Sequence, residues 1–415
     1  MIYNKKVLLC AYACEPNKGS EPEVGWETAV NLALNDTETE YFVITRTNNK
    51  LVIEKEGCPK NLSFIYYELN FFLLFLKKKG NFTRIYYYLW MLGAVIKLWT
   101  KRKEFQIIHH ITFVNDWLPS LFIILKNKKS HFIWGPIGSH DRVPFKFLNS
   151  KKEIITESLR ILLQKLFRTF DLFFWLCKLK SDLIIGINKE VANKINYGKT
   201  SRFSVLPAIA TKESALNFTK SIADASKGFK IMSVGRLMYI KNFRLTLNSF
   251  ALFLNLIPAE ERNKIELLII GKGNQEGELK KMASELNISD NVRFKGYLTQ
   301  KEVMCDFKKC DLFLFPTLES AGFVTLEAMS YSLPIVALDY GGPKQFILEN
   351  REDQLVGIKD SFPNISNEIS KKIFKFYKSP EMRFEIGSSN QTSLKNNLTW
   401  KIKANTILNL YRELR

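Results

Sequence analysis

The sequence predicts an α/β fold built from two doubly wound parallel-sheet domains. Short apolar runs alternate with longer helical patterns along the 415 residues, which is typical of βαβ units. A polar stretch near 207–228 interrupts this alternation, which then begins again, so one long sheet is not expected. We therefore predict an N-terminal domain at 1–210, a C-terminal domain at 211–392, and a terminal helix at 393–415 that packs back on the N-terminal domain.

The N-terminal domain begins with an apolar run that favours a buried strand. The run has only about seven residues and leads into a loop rich in Gly, Pro and Glu and then a helix, which argues against a signal peptide. No stretch reaches the about 18 uninterrupted apolar residues of a bilayer-spanning helix. The predicted strands are Lys6–Ala11, Tyr41–Thr45, Leu62–Tyr66, Gln106–His110, His131–Trp134, Leu183–Ile187 and Phe203–Leu206.

The C-terminal domain repeats the pattern of strand followed by helix. Its predicted strands are Lys230–Val234, Ile265–Ile270, Val292–Lys295, Leu312–Phe315 and Pro334–Ala337. Its predicted helices are Asn242–Ile257, Gly277–Leu286 and Val324–Ser332, and the terminal helix is expected at Leu398–Leu414. Ligands of such sheets bind at the carboxyl ends of the strands, so the loops that follow the strands are where site residues are sought.

Positive charge is concentrated in the first half of the chain. The sequence carries 61 Lys and Arg against 41 Asp and Glu, a net charge of +20, and its 46% hydrophobic content indicates a folded chain. Residues 71–180 alone hold 20 basic and 6 acidic side chains, which indicates a surface that meets a membrane, phosphates or nucleic acid. The segments 71–103 and 159–180 combine apolar, aromatic and basic residues, as interfacial helices do. Buried core with solvated basic edges is the alternative.

Several classes of protein lack support in the sequence. The six cysteines show neither disulfide-framework nor zinc-finger spacing, so reduced thiols are expected. A nucleic-acid-binding protein would account for the charge, but no helix-turn-helix, zinc or RNA-binding signature is recognisable. A nicotinamide-dependent oxidoreductase is disfavoured because Tyr12–Pro16, and not Gly-x-Gly-x-x-Gly, follows the first strand.

The most informative segment is 315–329, where a strand, a turn and a helix follow one another. Glu319 and Gly322 lie in the predicted turn, and the helix is expected to begin near Phe323. The free N–H groups of Phe323 and Val324 at the helix start suit an anion. Carboxylates are strong acceptors, so Glu319 suits the hydroxyls of a sugar and Glu327, one turn further, suits a ribose diol. Capping by Glu319 and a solvated or ion-paired Glu327 are the alternatives.

Two other loops complete the candidate site. Arg236 and Lys241 follow the strand Lys230–Val234, and two fixed cations can neutralise a diphosphate leaving group without a metal. No Asp-x-Asp pair occurs in the sequence, so the usual carboxylate cradle for a metal–nucleotide complex is missing and no metal is expected. Gly271 and Gly273 follow the next strand and permit close approach to a base or ribose.

Taken together, these elements resemble retaining glycosyltransferases of family 4. The resemblance rests on Gly235-Arg236-Leu237 with Lys241-Asn242, on Gly271-Lys272-Gly273, and on Glu319 with Glu327-Ala328-Met329, and it covers about 229–347. At Lys344-Gln345 the sequence departs from the family, which often has a glutamate there, and this bears on donor preference. The weaker matches at 13–26, 108–112 and 134–138 look like acceptor-domain loops of a branch that builds bacterial surface polysaccharides.

The resemblance implies a GT-B fold, with two domains facing each other across a cleft, and a role for each matching residue. Arg236 and Lys241 would hold the donor diphosphate with the helix start at Gly322, Phe323 and Val324. Glu327 would bind the ribose, and Glu319 would lie at the transferred sugar. Gly19 and Gly25 would form a turn at the first helix start, close to the donor phosphates or sugar.

The resemblance also places a histidine at the end of the strand Gln106–His110, near the reacting carbon. Adjacent side chains on a strand point to opposite faces, so at most one of His109 and His110 faces a cleft. We favour His109 and retain His110 as the rival.

The expected activity is therefore sugar transfer from a UDP- or GDP-sugar to a saccharide hydroxyl, with retention and without a metal or other cofactor. The acceptor is expected on a polyprenyl-diphosphate carrier, in capsule, O-antigen or exopolysaccharide assembly. We expect a cytoplasmic protein held at the inner, anionic face of the cell membrane by its basic first half. A catalytically silent glycan- or nucleotide-binding relative is the alternative, followed by a nucleic-acid-binding protein.

Overall fold

The computed structural model describes residues 5–69, 83–139, 142–195, 202–220 and 228–414. The chain divides into two compact units. The first unit contains the described residues of Met1–Ser139, Leu162–Ile209 and Trp400–Arg415, and the second contains those of His140–Ile161 and Ala210–Thr399. No helix among the described residues is both long and apolar enough to span a bilayer.

Strands and helices alternate through both units. The strands are β1 Lys5–Cys10, β2 Thr39–Arg46, β3 Leu62–Tyr67, β4 Ile107–His110, β5 His131–Ile137, β6 Leu183–Gly186, β7 Arg202–Val205, β8 Phe229–Val234, β9 Ile265–Ile270, β10 Val292–Gly296, β11 Leu312–Phe315, β12 Ile335–Leu338 and β13 Leu355–Val356. The helices of the described residues are α1 Ser20–Asn35, α2 Lys50–Glu56, α3 Thr83–Leu98, α4 Lys151–Phe170, α5 Leu172–Lys180, α6 Lys189–Lys194, α7 Phe243–Leu254, α8 Glu276–Glu285, α9 Gln300–Phe307, α10 Phe323–Ser330, α11 Pro343–Phe346, α12 Arg351–Gln354, α13 Phe362–Lys378, α14 Pro380–Asn397 and α15 Trp400–Glu413.

The first unit is built on a parallel sheet covered by helices on both faces. Among its described residues, seven strands lie in the order β3-β2-β1-β4-β5-β6-β7. Strands β1 and β4 are buried throughout or nearly so, as expected for central strands with helices on both sides. The terminal helix α15 packs beside α1 on one face, where Ile407, Leu408 and Tyr411 are part of the core.

The second unit repeats this plan. Its described strands form a parallel sheet in the order β10-β9-β8-β11-β12-β13. Apolar residues of α7 and α13 cover one face, and Val143, Phe147 and Leu148 from the segment before α4 belong to the same core. Helix α4 thus begins in the second unit and ends in the first.

The predicted fold class of two doubly wound parallel-sheet α/β domains is confirmed. The twelve predicted strands all occur, with ends that differ by up to three residues, and among the strands of the described residues only the two-residue β13 was absent from the prediction. It is too short to produce an apolar run of its own. The residues 142–161, which the prediction placed in the N-terminal domain, pack with the second unit because Val143, Phe147 and Leu148 enter its core.

The two aromatic and basic segments differ in their exposure. Part of 71–103 lies outside the described residues, and its described helix α3 buries Tyr86, Tyr87 and Trp90 in the core of the first unit. The same helix exposes Ile85, Leu92 and Ile96, so α3 has both a core face and exposed apolar side chains. Helices α4 and α5, which contain 159–180, instead expose many of their apolar side chains.

Candidate functional site

The candidate site of the second unit lies where the order of its strands reverses. From β8 the chain passes to β9 and β10 on one side, whereas β11 is followed by β12 and β13 on the other side. The loops after β8 and β11 therefore leave neighbouring strands at the same edge, and such a switch point is where doubly wound sheets bind ligands. These loops carry Arg236, Lys241 and Glu319, which the sequence analysis had selected from motifs alone.

Backbone contacts hold the two loops together. The N–H of Leu318 donates to the carbonyl oxygen of Ile240 at 2.9 Å. Asn242 has a left-handed backbone conformation with φ of 57°, and its side-chain amide donates to the carbonyl oxygen of Pro316 at 3.1 Å. Asn242 was not among the site residues predicted from the sequence, although an asparagine before a helix is a known signal for this conformation.

Lys241 and Glu319 form an ion pair at the centre of this arrangement. The Lys241 ammonium donates a hydrogen bond to Glu319 Oε1, and both side chains are largely buried. The ammonium also lies 5.1 Å from the centre of the Phe315 ring, whose face attracts cations. The alternative that Glu319 caps the following helix is wrong, because Gly322 is the N-cap of α10 and no side chain caps that helix.

Arg236 is the exposed member of the cation pair. Its side chain makes no hydrogen bond or ion pair with any described residue. The structure thus brings together a fixed cation, Lys241, and a second cation that is available to a ligand. An arrangement of this kind suits a ligand with two phosphate groups.

The start of α10 lies where the sequence predicted an anion-binding helix end. Helix α10 begins at Phe323, so the predicted start is confirmed. Gly322 has φ of +62°, and a Cβ there would lie 2.9 Å from the nitrogen of Pro343. The N–H groups of Phe323 and Val324 precede the first intrahelical hydrogen bond and have no acceptor within the helix. Gly322 thus lets the chain turn tightly enough to present these donors at the loop.

Two further glycines, which the motif analysis had not assigned to the site, support the same turn. A Cβ on Gly341 would lie 2.2 Å from the carbonyl oxygen of Glu319, and one on Gly342 would lie 2.5 Å from the carbonyl carbon of Ala321. The N–H of Gly342 donates to that Glu319 oxygen at 2.7 Å. The Gly-Gly-Pro sequence was the available signal, since consecutive glycines indicate close backbone approach.

Gly271 and Gly273 lie against the loop that carries the cations. A Cβ on Gly271 would lie 1.9 Å from the carbonyl oxygen of Gly235, and one on Gly273 would lie 2.1 Å from that of Leu237. Both positions are therefore restricted to glycine by packing of one loop on the other. The predicted contact of Gly271 and Gly273 with base or ribose stays a prediction.

Glu327 lies one turn into α10 and is partly exposed. The side-chain amide of Gln300 donates to its Oε1 at 3.4 Å, a long hydrogen bond. Glu327 lies on the helix whose first N–H groups are the predicted anion-binding donors. Its proposed contact with a ribose remains a prediction of the resemblance.

The two histidines of β4 are both buried within the first unit. The Nδ1 and Nε2 atoms of His109 lie 2.7 Å from the Tyr411 hydroxyl and from the Gly135 carbonyl oxygen. His110 Nε2 lies 2.8 Å from the Tyr87 hydroxyl, on the opposite face of the sheet, as the strand geometry predicted. Burial lowers the pKa of each imidazole to about 3, so both are neutral at neutral pH. His109, the favoured candidate, has both ring nitrogens occupied by groups of its own unit.

The glycines of the first unit have different roles from one another. Gly19 has φ of +67° and is the N-cap of α1, which fits the predicted turn. The placement of Gly25 in that turn is wrong, because Gly25 lies within α1. A Cβ on Gly25 would lie 2.1 Å from the carbonyl oxygen of Ala13, so this glycine permits the loop after β1 to pack on the helix.

The second unit has a doubly wound fold with a candidate anion-binding site at its switch point. Comparisons with known proteins indicate which family of proteins has this arrangement. Residues 217–392 match the model of the family described as glycosyl transferases group 1. The match covers the loop after β8 that carries Arg236 and Lys241, which we call the cation loop, and the loop after β9 that carries Gly271 and Gly273, which we call the glycine loop. It also covers the loop after β11 and α10. Residues 217–392 of the second unit are thus similar to glycosyl transferases group 1, and the fold of the chain is GT-B.

Individual relatives agree with this class. The chain is 24% identical over 229 residues to an uncharacterized glycosyltransferase of Methanocaldococcus jannaschii, covering 54% of this chain and 56% of the relative. It is 25% identical over 179 residues to the O-antigen chain mannosyltransferase C of Escherichia coli, covering 42% of this chain and 47% of the relative. The chain thus spans about half the length of these curated relatives.

Solved structures extend the similarity of the fold to the whole chain. The Anabaena protein HepE, solved in complex with UDP, superimposes with a TM-score of 0.61 over 99% of this chain and 100% of that protein. Sequence identity in this comparison is 15%, so the similarity concerns the fold.

Proposed function

We propose that this chain is a retaining glycosyltransferase of family 4 that transfers a sugar from a UDP- or GDP-sugar to a saccharide hydroxyl. The observation that carries the proposal is the placement of Lys241, Glu319 and Arg236 at the switch point of the second unit, beside the start of α10. This arrangement offers cations and N–H donors to a diphosphate and a carboxylate to hydroxyl groups. The group 1 match over the same residues supports it.

The residues suggest how the transfer proceeds. Arg236, Lys241 and the N–H groups of Phe323 and Val324 stabilise the charge that develops on the departing diphosphate. The bond between the sugar C1 and the phosphate oxygen breaks, and the acceptor oxygen forms its bond to C1 on the same face. The acceptor proton passes to an oxygen of the leaving diphosphate. Because two side-chain cations and a helix start supply the positive charge, the proposed reaction needs no metal.

We place the acceptor on a lipid carrier at the anionic, cytoplasmic face of a bacterial membrane, in assembly of a surface polysaccharide. The O-antigen mannosyltransferase among the relatives supports the pathway class. The surface of α4 and α5 in the first unit supports contact with a membrane. We call this surface the α4–α5 stripe, and it consists of Leu162, Leu163, Leu166, Phe170, Leu172, Trp175 and Leu179.

The α4–α5 stripe combines exposed apolar side chains with cations. Phe170 and Leu172 are 78% and 67% exposed. The Lys178 ammonium lies 4.7 Å from the centre of the Trp175 ring, and Lys165 and Lys180 are exposed on the same two helices. Apolar side chains that enter the headgroup region beside lysines that contact anionic lipids are typical of interfacial helices.

Incubation with a panel of UDP- and GDP-sugars tests the activity. We expect release of the nucleoside diphosphate from one donor, with and without EDTA, and a transferred sugar that keeps its anomeric configuration by NMR. An inverted product, or a requirement for a divalent cation, would contradict the proposed mechanism. Absence of transfer from every donor, together with tight binding of a nucleotide sugar, would favour a catalytically silent relative.

A further inference from the structure

A buried carboxylate of α4, Glu157, is bonded to the loop that carries the two cations. Its side chain is fully buried in the second unit. Glu157 Oε1 accepts from the Val143 N–H at 2.8 Å, and Oε2 accepts from Arg160 Nε at 2.9 Å and from the Tyr239 hydroxyl at 3.2 Å. Both oxygens are thus occupied, and one of their partners lies between Arg236 and Lys241 in the sequence.

Tyr239 is the point at which the cation loop is fastened to α4. Local backbone bonds, from the Met238 N–H to the Arg236 oxygen and from the Lys241 N–H to the Met238 oxygen, shape this loop. Backbone bonds on either side of Tyr239, at Leu237 and Ile240, join it to the neighbouring loops. The Tyr239 hydroxyl adds a side-chain contact from the middle of the loop to a helix distant in sequence.

One turn earlier on α4, Glu153 contacts the glycine loop. Its Oε1 accepts from the Gln275 side-chain amide at 2.9 Å, and the Gln275 N–H donates to the carbonyl oxygen of Leu237 at 3.1 Å. Residues four apart lie on one face of a helix. The same face of α4 therefore contacts both loops through Glu153 and Glu157.

The protonation states strengthen the contact between Glu157 and Tyr239. Burial alone would raise the pKa of Glu157, but hydrogen bonds from Arg160, Val143 and Tyr239 outweigh burial and hold the pKa below its usual range. Burial and the neighbouring Glu157 raise the pKa of Tyr239 to about 12. At neutral pH a charged acceptor thus faces a neutral hydroxyl donor, which is the stronger kind of hydrogen bond.

We propose that Glu157, acting through Tyr239, is a positioning residue that holds the cation loop in the conformation that binds the donor diphosphate. Neither residue needs to touch the ligand. A loop held in its binding conformation loses less conformational freedom when the diphosphate binds, so affinity rises without a new contact. This inference rests on the proposed function, because it takes the ligand to be a nucleoside diphosphate or its sugar.

The test compares Tyr239→Phe and Glu157→Gln with a matched pair elsewhere in the second unit. Tyr377 also donates a hydrogen bond to a glutamate, Glu261, so Tyr377→Phe and Glu261→Gln make the same chemical changes away from the cation loop. Binding of UDP and of GDP is measured by calorimetry, binding of uridine and of guanosine by ligand-observed NMR, and stability by thermal unfolding.

We expect the affinity of Tyr239→Phe and Glu157→Gln for the nucleoside diphosphate to fall about tenfold, which corresponds to about 1.4 kcal/mol. Affinity for the nucleoside should stay unchanged, and the loss in the double variant should be smaller than the sum of the two single losses, because both changes act on the contact between Glu157 and Tyr239. If Glu157→Gln does not fold, Tyr239→Phe decides, because it removes only a hydroxyl.

Two outcomes overturn the inference in different ways. If Tyr239→Phe binds the diphosphate like the wild type, or if the control pair loses as much affinity, Glu157 does not position the loop. If the wild-type protein binds neither UDP nor GDP, the proposed donor class fails and the inference fails with it.

Discussion

The Lys241 ammonium and the Glu319 carboxylate form an ion pair that joins the loop after β8 to the loop after β11. The pair connects the two groups that the proposed mechanism assigns to different parts of the donor, its diphosphate and its sugar. Because both side chains are largely buried, removal of one leaves the other without its partner in a poorly solvated place. The ion pair therefore helps to hold the two loops together and also contributes to the charge of the site.

Removal of either cation is expected to lower sugar transfer strongly, with different effects on stability. In Arg236→Ala the exposed cation is lost, so we expect kcat/KM to fall by about 10²–10³ while the melting temperature is unchanged. Lys241→Ala should show a similar loss of activity and also a lower melting temperature, because Glu319 loses its partner. Steady-state kinetics and thermal unfolding measure both effects.

The control is Lys281→Ala, an exposed cation on α8 that pairs with Glu285 at 3.5 Å in the same unit. It should leave both kcat/KM and melting temperature near the wild-type values. Ordinary turnover by Arg236→Ala would remove this arginine from the proposed site.

A single methyl group at Gly273 is expected to disturb the donor site. In Gly273→Ala the new Cβ would lie 2.1 Å from the carbonyl oxygen of Leu237, so the glycine loop or the cation loop must shift. We expect weaker binding of UDP or GDP and a lower melting temperature, measured by calorimetry and thermal unfolding.

Gly277→Ala is the matched control, because nothing lies within 4 Å of a Cβ at this position in α8. It should bind normally and be more stable by up to about 1 kcal/mol, since alanine favours a helix over glycine. Equal behaviour of the two variants would contradict the packing argument.

Much of the fold and of the candidate site follows from the sequence, because the relevant signals are local. Buried parallel strands produce continuous apolar runs, and the Glu319 turn is set by glycines and a helix start within a few residues. The contact of Glu157 with Tyr239 joins residues 82 positions apart, so no local pattern reveals it. The resemblance implied a turn at Gly25, whereas its actual role depends on how closely Ala13 packs on α1, which a sequence motif does not show.

The histidines and the aromatic helices show a second limit of sequence analysis, which is burial. A buried face and an interfacial face of a helix have the same pattern of apolar residues, so α3 and the α4–α5 stripe look alike in sequence. The structure shows which side chains are buried on each: Tyr86, Tyr87 and Trp90 of α3 and Phe174 and Cys177 of α5 lie in one core, whereas the residues of the α4–α5 stripe are exposed. In the same way, both histidines of β4 are enclosed by partners, Tyr87 and Tyr411, that lie far from them in sequence.

The stability of the first unit should depend on pH through Lys403. Burial lowers the pKa of this amine to about 7, although Glu21 acts in the opposite direction. In the unfolded chain the amine keeps its proton up to about pH 10.4. Between these two pKa values the unfolded state binds more protons than the folded state. The Lys403 contribution to the free energy of unfolding therefore rises with pH, by at most about 1.4 kcal/mol per pH unit.

Lys403→Met removes this titration. The wild-type minus variant difference in free energy of unfolding, from urea titrations, should rise between about pH 7 and about pH 10 and be flat below pH 7. The lost hydrogen bond to the Ala208 carbonyl oxygen adds a constant offset. Lys401→Met, an exposed neighbour on α15, should give a curve parallel to the wild type. A parallel curve for Lys403→Met would mean that Lys403 stays charged in the folded state.

The α4–α5 stripe should bind anionic vesicles, and its apolar residues should carry much of that affinity. In the double variant Leu162→Gln/Phe170→Gln two exposed apolar side chains are lost, and a fully buried side chain of this size contributes about 1.5–3 kcal/mol. We expect co-sedimentation with vesicles of phosphatidylcholine and phosphatidylglycerol to fall at least about tenfold. Wild-type binding should weaken with vesicles of phosphatidylcholine alone and with added salt, because the lysines act through screened charge.

The matched control is Leu34→Gln/Leu51→Gln, which changes two exposed leucines of α1 and α2 in the same unit. This variant should bind vesicles like the wild type, since those leucines lie outside the stripe. Light scattering of the wild type and of the stripe variant tests the competing explanation that the stripe is a dimer interface. If the wild type is a dimer that Leu162→Gln/Phe170→Gln converts to a monomer, with vesicle binding unchanged, the stripe is an interface between two copies of the chain and the membrane assignment is wrong.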